Sequence, residues 1–324
     1  HSLQLNSYIL SWSLIESDVP LNRFVFLDYG GGSGILSLLA KELNIGTVIY
    51  NDIYDVSCKD ASIIGKSIGN QADYYIQGDI EDILFFLKTN SISCNAIASY
   101  DVIEHIYDIE GFFKKLDALS NGSLTVCMSS GANIFNPIIR RSLMRKQLEI
   151  EYKDREKKFG HKERDCLEAY FNIRKKIILN FTKRLDENLT EKEIEQLSRA
   201  TRGMIESDIK KCVEGYIKTG HIHKEPSHPT NTCDPYTGNW AEHLMDIYYL
   251  RDILLTYGFR AKILGGYCGD TKNRFSNIYH RLLNLTIYMF KDQGIKIAPY
   301  FTIYGKREGR TKLNSSPKGN FTRT

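Results

Sequence analysis

A glycine-rich stretch near the start of the chain has the composition of a ligand-binding loop. Residues 28–34 read Asp-Tyr-Gly-Gly-Gly-Ser-Gly, between an apolar run that predicts a strand and a helical pattern. Glycines leave backbone N–H groups bare and tolerate positive φ, so a small molecule can approach the main chain closely. Because four glycines in five positions would be entropically costly for a plain turn, the loop predicts a ligand site. The predicted contacts are Tyr29, Gly30, Gly31, Gly32 and Gly34.

The spacing of these glycines narrows the class of ligand. A dinucleotide fingerprint would need its third glycine where this chain has Ile35. A phosphate loop would need Gly-Lys-Ser/Thr directly after its glycines, and Ile-Leu-Ser follows Gly34 here. Asp28 places a carboxylate beside the loop, which suits a cofactor with an ammonium and a sulfonium better than a pyrophosphate. The loop favours a methyl donor, with a dehydrogenase as the weaker alternative.

The elements around the loop predict a parallel sheet covered by helices. Short apolar runs alternate with helical patterns over the first ~130 residues, which is typical of α/β proteins. The sequence predicts five strands in that part, at Phe24–Leu27, Thr47–Tyr50, Tyr74–Gln77, Ala96–Tyr100 and Leu124–Met128. Further along, it predicts a helix, a strand, a second helix and a final strand, at Trp240–Tyr257, Arg260–Leu264, Asn277–Phe290 and Tyr300–Tyr304.

Three more motifs follow the predicted strands in order. They are Asn51-Asp52, then Gly78-Asp79-Ile80, then Ser-Tyr-Asp-Val-Ile-Glu-His over 99–105. With the glycine loop, this series resembles the class I methyltransferases that use S-adenosylmethionine, over residues 22–130 and about 240–306. The resemblance implies an α/β fold with a doubly wound, mostly parallel seven-stranded sheet and an antiparallel last strand.

The resemblance also implies roles for individual residues in binding S-adenosylmethionine. Asp52, beside Ile53, would hold the ribose hydroxyls, since a carboxylate can accept two hydrogen bonds from a diol. Asp55 is the nearby competitor for that role. Asp79 would meet the adenine amino group, and the remaining implied cofactor contacts are Asp28, Gly78, Ile80, Tyr100 and Asp101.

Asp101, Glu104 and His105 share one face at helical spacing, beside the expected cofactor cleft. Some relatives with this element use such residues to bind a divalent metal, and mixed carboxylate and imidazole ligation suits Mg, Mn or Zn. His105 is also a candidate catalytic base. The alternative is that Glu104 caps or pairs locally while His105 packs under the sheet edge.

The segment 221–243 concentrates polar and aromatic residues in a shaped loop. It holds four of the eight histidines and three of the seven prolines. This composition predicts catalysis by His228, Asp234 and His243, and acceptor binding by Tyr236, Asn239 and Trp240. An ordinary zinc site is not favoured, because the spacings match no common ligand pattern.

Residues 137–224 form a predicted helical insert between residues 1–136 and 225–310, which together form the methyltransferase domain. Over 138–220 there are 21 Lys+Arg against 15 Asp+Glu. Helices are predicted after Asn136-Pro137, over Lys162–Leu185, and from Thr190-Glu191-Lys192-Glu193 to Gly220. The insert is interpreted as a lid, a homodimerisation arm, or a contact for an anionic acceptor or membrane surface; an ordinary solvated face is the alternative. Residues 311–324 form a predicted flexible tail.

Bulk composition indicates a globular protein without a membrane span. The formal net charge is +4, and the seven cysteines are scattered without a C-x-x-C pair. Dispersed single cysteines are typical of reduced thiols, so a cytoplasmic location is expected. The apolar residues 3–15 lack a basic flank and make a poor signal peptide.

The combined prediction is an O-methyltransferase acting on a hydroxyl of a polar small molecule, such as a sugar or glycan. A metal-dependent RNA 2′-O-methyltransferase is the nearest alternative. Nucleic acid is not favoured as a partner, because Tyr170 and Phe181 fall on the apolar stripe of their helix and do not interleave with basic residues. A non-catalytic S-adenosylmethionine-binding module is the alternative outside enzymes.

Overall fold

The computed structural model describes residues 2–156, 166–222, 224–269 and 271–309. The predicted tail over 311–324 and the predicted helix start at 162 lie outside these residues. Among the described residues, no helix combines the length and apolar character needed to cross a membrane.

A seven-stranded sheet organises the molecule, in the order β3-β2-β1-β4-β5-β7-β6. β7 runs antiparallel to β5 and β6, and the other pairs are parallel. This order confirms the predicted fold class. The strands are β1 Val25–Tyr29, β2 Thr47–Asp52, β3 Tyr74–Gln77, β4 Ala96–Tyr100, β5 Leu124–Ser130, β6 Arg260–Gly265 and β7 Phe301–Arg307.

Helices cover both faces of this sheet. They are α1 Ser2–Leu14, α2 Ile35–Glu42, α3 Asp55–Ile68, α4 Ile80–Asn90, α5 Ile109–Lys115, α10 Ile247–Thr256, α11 Arg274–Met289 and α12 Lys291–Ile295. Short 3₁₀ turns lie at Leu21–Arg23, Ile103–His105 and Leu116–Leu119. Because successive strand residues point to opposite faces, Phe26 and Leu27 enter different cores.

Four of the helices between β5 and β6 pack in a core of their own. They are α6 Pro137–Tyr152, α7 Tyr170–Arg184, α8 Glu191–Ala200 and α9 Glu206–Thr219. Asn136 caps α6 with Pro137 in its first turn, and Thr190 and Glu193 form the predicted capping box of α8. The Arg174–Glu151 ion pair is fully buried in this core.

Three predicted helices differ from the structure. Of the helix expected over Lys162–Leu185, the described residues 166–169 are not helical, and α7 begins at Tyr170. The helix expected from Thr190 to Gly220 is divided into α8 and α9, and Gly203 between them has φ +81°, which a continuing right-handed helix does not accept. The helix expected from Trp240 begins only at Ile247, where the Asp246 side chain caps it. Residues 240–246 therefore form a loop, and Trp240 lines the edge of the cavity described below.

Candidate active site

The glycine loop after β1 lies tightly against β2. Gly30, Gly32 and Gly34 have φ of +68°, +54° and +79°, a region in which only glycine is comfortable. A Cβ on Gly31 would lie 2.6 Å from a ring carbon of Tyr50, and the Gly31 N–H donates to the Asn51 carbonyl at 2.8 Å. The loop therefore needs its glycines for conformation and for close approach.

Asp28 lies beneath the loop and not on its open side. Its Oδ2 accepts from the Ser37 N–H at 3.0 Å and from the Ser37 hydroxyl at 2.6 Å. The side chain is 1% exposed, and burial raises the pKa of Asp28 to about 6. In this structure Asp28 ties the glycine loop to the first turns of α2.

The acid at the end of β2 sits at the mouth of the loop. Asp52 Oδ2 accepts from the Gly32 N–H at 3.0 Å, and its Oδ1 accepts from the Tyr54 N–H at 2.9 Å. Asn51 donates from Nδ2 to the carbonyls of Ile76 and Gly78. These bonds join the ends of β2 and β3, so Asn51 holds two predicted cofactor motifs in place.

Asp79 follows β3 and caps α4. Its Oδ1 accepts from the Glu81 N–H at 2.7 Å, and Asp82 completes a capping box. The cap fixes the carboxylate at the start of a helix, where backbone N–H groups favour negative charge. Beside it, the Tyr29 ring packs against Phe112 with centroids 5.1 Å apart.

A cavity of about 630 Å³ opens at this edge of the sheet. Its strand-end wall consists of Tyr29, Gly30, Asn51, Asp52, Ile53, Gly78, Asp79, Ile80 and Asp101. Its rim wall, from the insert and the loops near it, consists of Tyr107, Lys146, Ile150, Arg155, Tyr170, Thr237, Gly238, Asn239, Trp240, Ala241 and Glu242. His105 also lines the cavity. The structure thus brings most of the predicted cofactor residues together with Asn239 and Trp240.

Asp101 and Glu104 form an acidic pair after β4. Asp101 has φ +51°, and its Oδ1 accepts from the Gly131 N–H at 2.9 Å. Glu104 is 3% exposed, and its Oε2 has no hydrogen-bond partner among the described residues. Burial is the main cause that raises the pKa of Glu104 well above its ordinary value, and repulsion from Asp101 is the second cause. Tyr100 packs into the core on one face of the sheet, outside the cavity lining.

His105 is held in one tautomer. Its Nδ1 lies 2.8 Å from the Trp240 carbonyl oxygen, and the Trp240 N–H donates back to the His105 carbonyl. Because a carbonyl can only accept, Nδ1 carries the hydrogen, and neutral His105 keeps Nε2 as an acceptor. A backbone partner on one ring nitrogen is the usual way to orient a histidine base.

The predicted metal ligands do not assemble into a centre. Within the ranges that the structure describes, no three His, Cys, Asp or Glu side chains are grouped so as to hold a metal ion. Asp101 is engaged with Gly131, and His105 uses Nδ1 on Trp240. The structure therefore shows no metal site at the Asp101-Glu104-His105 element, and a divalent metal there stays a prediction.

The predicted catalytic histidines of the rim loop lie outside the cavity lining. The rings of His228 and His243 stack with centroids 4.1 Å apart, and His243 Nδ1 lies 2.5 Å from the Thr230 carbonyl. Burial lowers the pKa of His228; burial and His228 lower that of His243 to about 4. The lowered pKa values favour the neutral form of both rings, and His243 packs against Trp240 with ring centroids 4.5 Å apart.

Asp234 and Tyr236 also lie apart from the cavity. Asp234 Oδ1 accepts from the Tyr236 N–H at 2.9 Å, and its Oδ2 accepts from the Cys166 N–H at 3.2 Å. These bonds shape the rim loop and attach it to the insert. Tyr236 lines a smaller groove beside Arg184 and Lys210.

Sequence reasoning missed several residues of the rim wall. Tyr107 stacks on Trp240 at 5.5 Å, and Lys146 pairs with Glu242. Tyr54 accepts at its hydroxyl from Asn239 Nδ2 at 3.2 Å, which links the region after β2 to the rim. Tyr54 and Tyr107 directly follow predicted motifs, so extending each motif by two residues would have included them.

No family model and no curated protein matches this sequence. Among solved structures, a SAM-dependent methyltransferase from Archaeoglobus fulgidus matches with TM-score 0.42 at 14% identity, over 94% of this chain and 91% of that one. The plantazolicin methyltransferase BamL, in complex with a triazolic desmethylPZN analog and SAH, matches with TM-score 0.42 at 11% identity, over 95% and 85%. The magnesium protoporphyrin IX methyltransferase of Synechocystis matches with TM-score 0.31 at 16% identity, over 39% of this chain and 58% of its own length. These are likenesses of fold.

Proposed function

We propose that the chain is an S-adenosylmethionine-dependent O-methyltransferase that methylates a hydroxyl of a polar acceptor, such as a sugar or glycan. The observation that carries the proposal is the shared cavity, which is lined together by a strand-end wall of cofactor-type residues, by His105 and by a polar and aromatic rim wall. A transfer enzyme needs this arrangement, because donor and acceptor must meet in one water-poor space.

The strand-end wall suits the donor in shape and charge. Asp52 offers a carboxylate to a ribose diol, and Asp79 presents an acceptor for an exocyclic amino group. Tyr29 and Ile80 add apolar surface for an adenine ring. The bound donor would supply an electrophilic methyl group, and Gly30 leaves backbone exposed for the close approach of its amino acid portion.

His105 would act as the general base for the acceptor hydroxyl. Its Nε2 is free to take the proton that an acceptor hydroxyl releases as its oxygen gains a methyl group, while Nδ1 stays bonded to Trp240. The protonated imidazole of His105 would then be a cation, stabilised by the Trp240 carbonyl that accepts from Nδ1. A positioned base of this kind contributes about 10²- to 10⁴-fold in rate.

The rim wall favours a hydroxylated acceptor. Asn239 and Thr237 offer donors and acceptors for hydroxyl groups. Trp240 and Tyr107 offer ring surface for the apolar face of a sugar, since aromatic side chains combine a large apolar body with specific geometry. Lys146 is neutralised by Glu242, which suits a neutral acceptor better than a polyanion such as RNA.

The insert over 137–224 is proposed to act as a lid. Its helices and the segment between them contribute Lys146, Ile150, Arg155 and Tyr170 to the rim wall. The division into a methyltransferase domain over 1–136 and 225–310 and this insert is part of the proposal. Homodimerisation through the insert and a cytoplasmic location stay predictions.

The test is a methylation assay over a panel of sugars and glycans, with wild type and His105→Gln. We expect methylated product with wild type and a fall in kcat of about 10²-fold or more in the variant. S-adenosylmethionine affinity should stay within about threefold, because His105 acts on the acceptor. His280→Gln, far along the chain on α11, is the matched control and should keep wild-type turnover.

Three outcomes would contradict the proposal in distinguishable ways. Turnover only on RNA, with steep salt dependence and loss on chelation, would indicate the RNA 2′-O-methyltransferase. Binding of S-adenosylmethionine without turnover of any acceptor would indicate a non-catalytic module. Binding of NAD in preference to S-adenosylmethionine would indicate a dehydrogenase.

A further inference from the structure

Helix α11 carries its apolar side outward. In this 16-residue helix only Ile287 is buried. Phe275 and Tyr288 are each 83% exposed. The other exposed apolar residues on α11 and at its C-terminal end are Ile278, Tyr279, Leu282, Leu285, Met289 and Phe290. We call this set of eight side chains the α11 face.

The spacing of the α11 face makes it one continuous surface. Phe275, Ile278, Leu282, Leu285 and Met289 recur at intervals of three and four residues, so they form a single stripe along the helix. A surface helix normally turns such a stripe toward the core. Contiguous exposed apolar patches above a few hundred Å² are rare on monomers and mark interaction sites.

The polar side of α11 holds the helix in this orientation. His280 Nδ1 lies 2.7 Å from the Gly269 carbonyl, to which it donates. Asn284 accepts from the Cys268 N–H at 2.7 Å and donates to the Cys268 carbonyl at 2.9 Å. Asn277 accepts from the Thr271 N–H at 2.6 Å. Because the His280 and Asn284 bonds are part-buried, rotating the stripe toward the core would break them.

The charges on α11 itself are all positive, and the nearest acids along the chain are Asp270 and Asp292. Arg274 and Arg281 lie on the helix, and Lys272 and Lys291 lie beside its two ends. No Asp or Glu occurs between residues 271 and 291. An apolar stripe with aromatic residues and a basic border is typical of helices that lie in a membrane interface.

We propose that the α11 face binds the surface of an anionic membrane, with its apolar side chains in the headgroup region and the four cations on lipid phosphates and carboxylates. Charge complementarity favours this occupant over a second copy of the chain. A twofold pairing of the face with itself would set the same basic border against its own copy. Anionic lipid headgroups attract basic residues close to the surface. The proposal is independent of the methylation chemistry.

The test is co-sedimentation of the full chain with vesicles of phosphatidylcholine, alone or with about one third phosphatidylserine. We expect binding to the mixed vesicles that weakens in about 0.5 M NaCl, where the Debye length is only a few Å. Leu282→Glu should lower the partition coefficient at least about tenfold. Phe85→Glu adds the same charge at an exposed apolar residue of α4 and should bind as wild type does.

A second measurement reports insertion directly. Leu282→Trp should show blue-shifted fluorescence and quenching by brominated lipid, relative to the same variant without vesicles. Thermal unfolding of Leu282→Glu should match wild type, because Leu282 is 60% exposed. Failure of wild type to bind mixed vesicles, or equal binding by Leu282→Glu, would overturn the proposal. A wild-type dimer that Leu282→Glu converts to monomer, without vesicle binding, would assign the face to a second copy instead.

Discussion

The strand-end wall and the rim wall of the cavity hold their side chains in different ways. On the strand-end wall, Asp52 and Asp101 each accept a backbone N–H from a neighbouring loop, and Asp79 accepts one from the first turn of α4. On the rim wall, Trp240 is tied to His105 and Asn239 to Tyr54. The first wall is anchored to the ends of parallel strands, which meet at one edge of the sheet. The second depends on a long loop being pressed against that edge.

Burial has opposite consequences for pH dependence beside the two walls. Beneath the strand-end wall, burial raises the pKa of Asp28 to about 6. Behind the rim wall, burial lowers the pKa of His243 to about 4. In both cases the neutral form is favoured, because a low-dielectric surrounding penalises charge. Asp28 therefore contributes most to the stability of the folded protein at low pH, and His243 contributes most at high pH.

The largest expected effect is on the strand-end wall. Asp52→Ala should weaken S-adenosylmethionine binding at least about 100-fold, because two hydrogen bonds to a charged group are lost and each contributes about 1.5–3 kcal/mol. Isothermal titration calorimetry measures the affinity. Asp55→Ala is the matched control: this nearby acid is half exposed and paired with Lys59, so affinity should stay within about twofold. Equal losses in both variants would place the donor elsewhere.

The second effect concerns the stability of the glycine loop. The pKa of Asp28 in the folded protein lies above its ordinary 3.8, so its contribution to stability is complete below pH 3.8 and is lost as pH rises through about 6. The shift corresponds to about 3 kcal/mol between pH 4 and 8. Asp28→Asn should remove this part of the pH dependence in urea unfolding. An unchanged pH profile would mean that Asp28 is not buried as a carboxyl.

The smallest effect has the opposite sign and lies behind the rim. The pKa of His243 is below its ordinary 6.5, so its contribution is present above pH 6.5 and is lost as pH falls through about 4. We expect a loss of about 2 kcal/mol, reduced by partial exposure of the ring. His243→Phe should flatten the unfolding free energy between pH 7 and 4, whereas exposed His221→Phe should leave it as in wild type. The same slope in all three proteins would contradict the neutral His228–His243 stack.

Prediction succeeded where a local pattern controls the conformation. The predicted strands match the sheet to within a few residues, and the Asn136-Pro137 and Thr190 helix starts are confirmed. The prediction of helix bounds failed where a single residue interrupts a helix or a cap sets where it begins. The apolar periodicity predicted one helix through Gly203, which interrupts it. Helix α10, capped by Asp246, begins at Ile247, seven residues after the predicted first residue Trp240.

The same contrast holds for the site. Motifs at strand ends reached the cavity because chain topology brings the carboxyl ends of parallel strands together. His228, Asp234 and His243 were chosen by composition, and the structure uses them to stack, to turn the loop and to attach it to the insert. Composition indicates that a loop is specialised without indicating which of its side chains line the cavity, and catalysis by His228, Asp234 and His243 stays a prediction.

The sequence by itself determined the sheet, the glycine loop and the order of acids that follow the strands, because each depends on residues close together in the chain. Only the tertiary structure decided that Asp28 lies under the loop, that Trp240 selects the His105 tautomer and that α11 turns its apolar side outward. His105 and Trp240 are 135 residues apart in the chain, and the burial of Asp28 and the exposure of α11 depend on how whole elements pack. Burial and hydrogen bonding there are set by packing, and no local pattern records them.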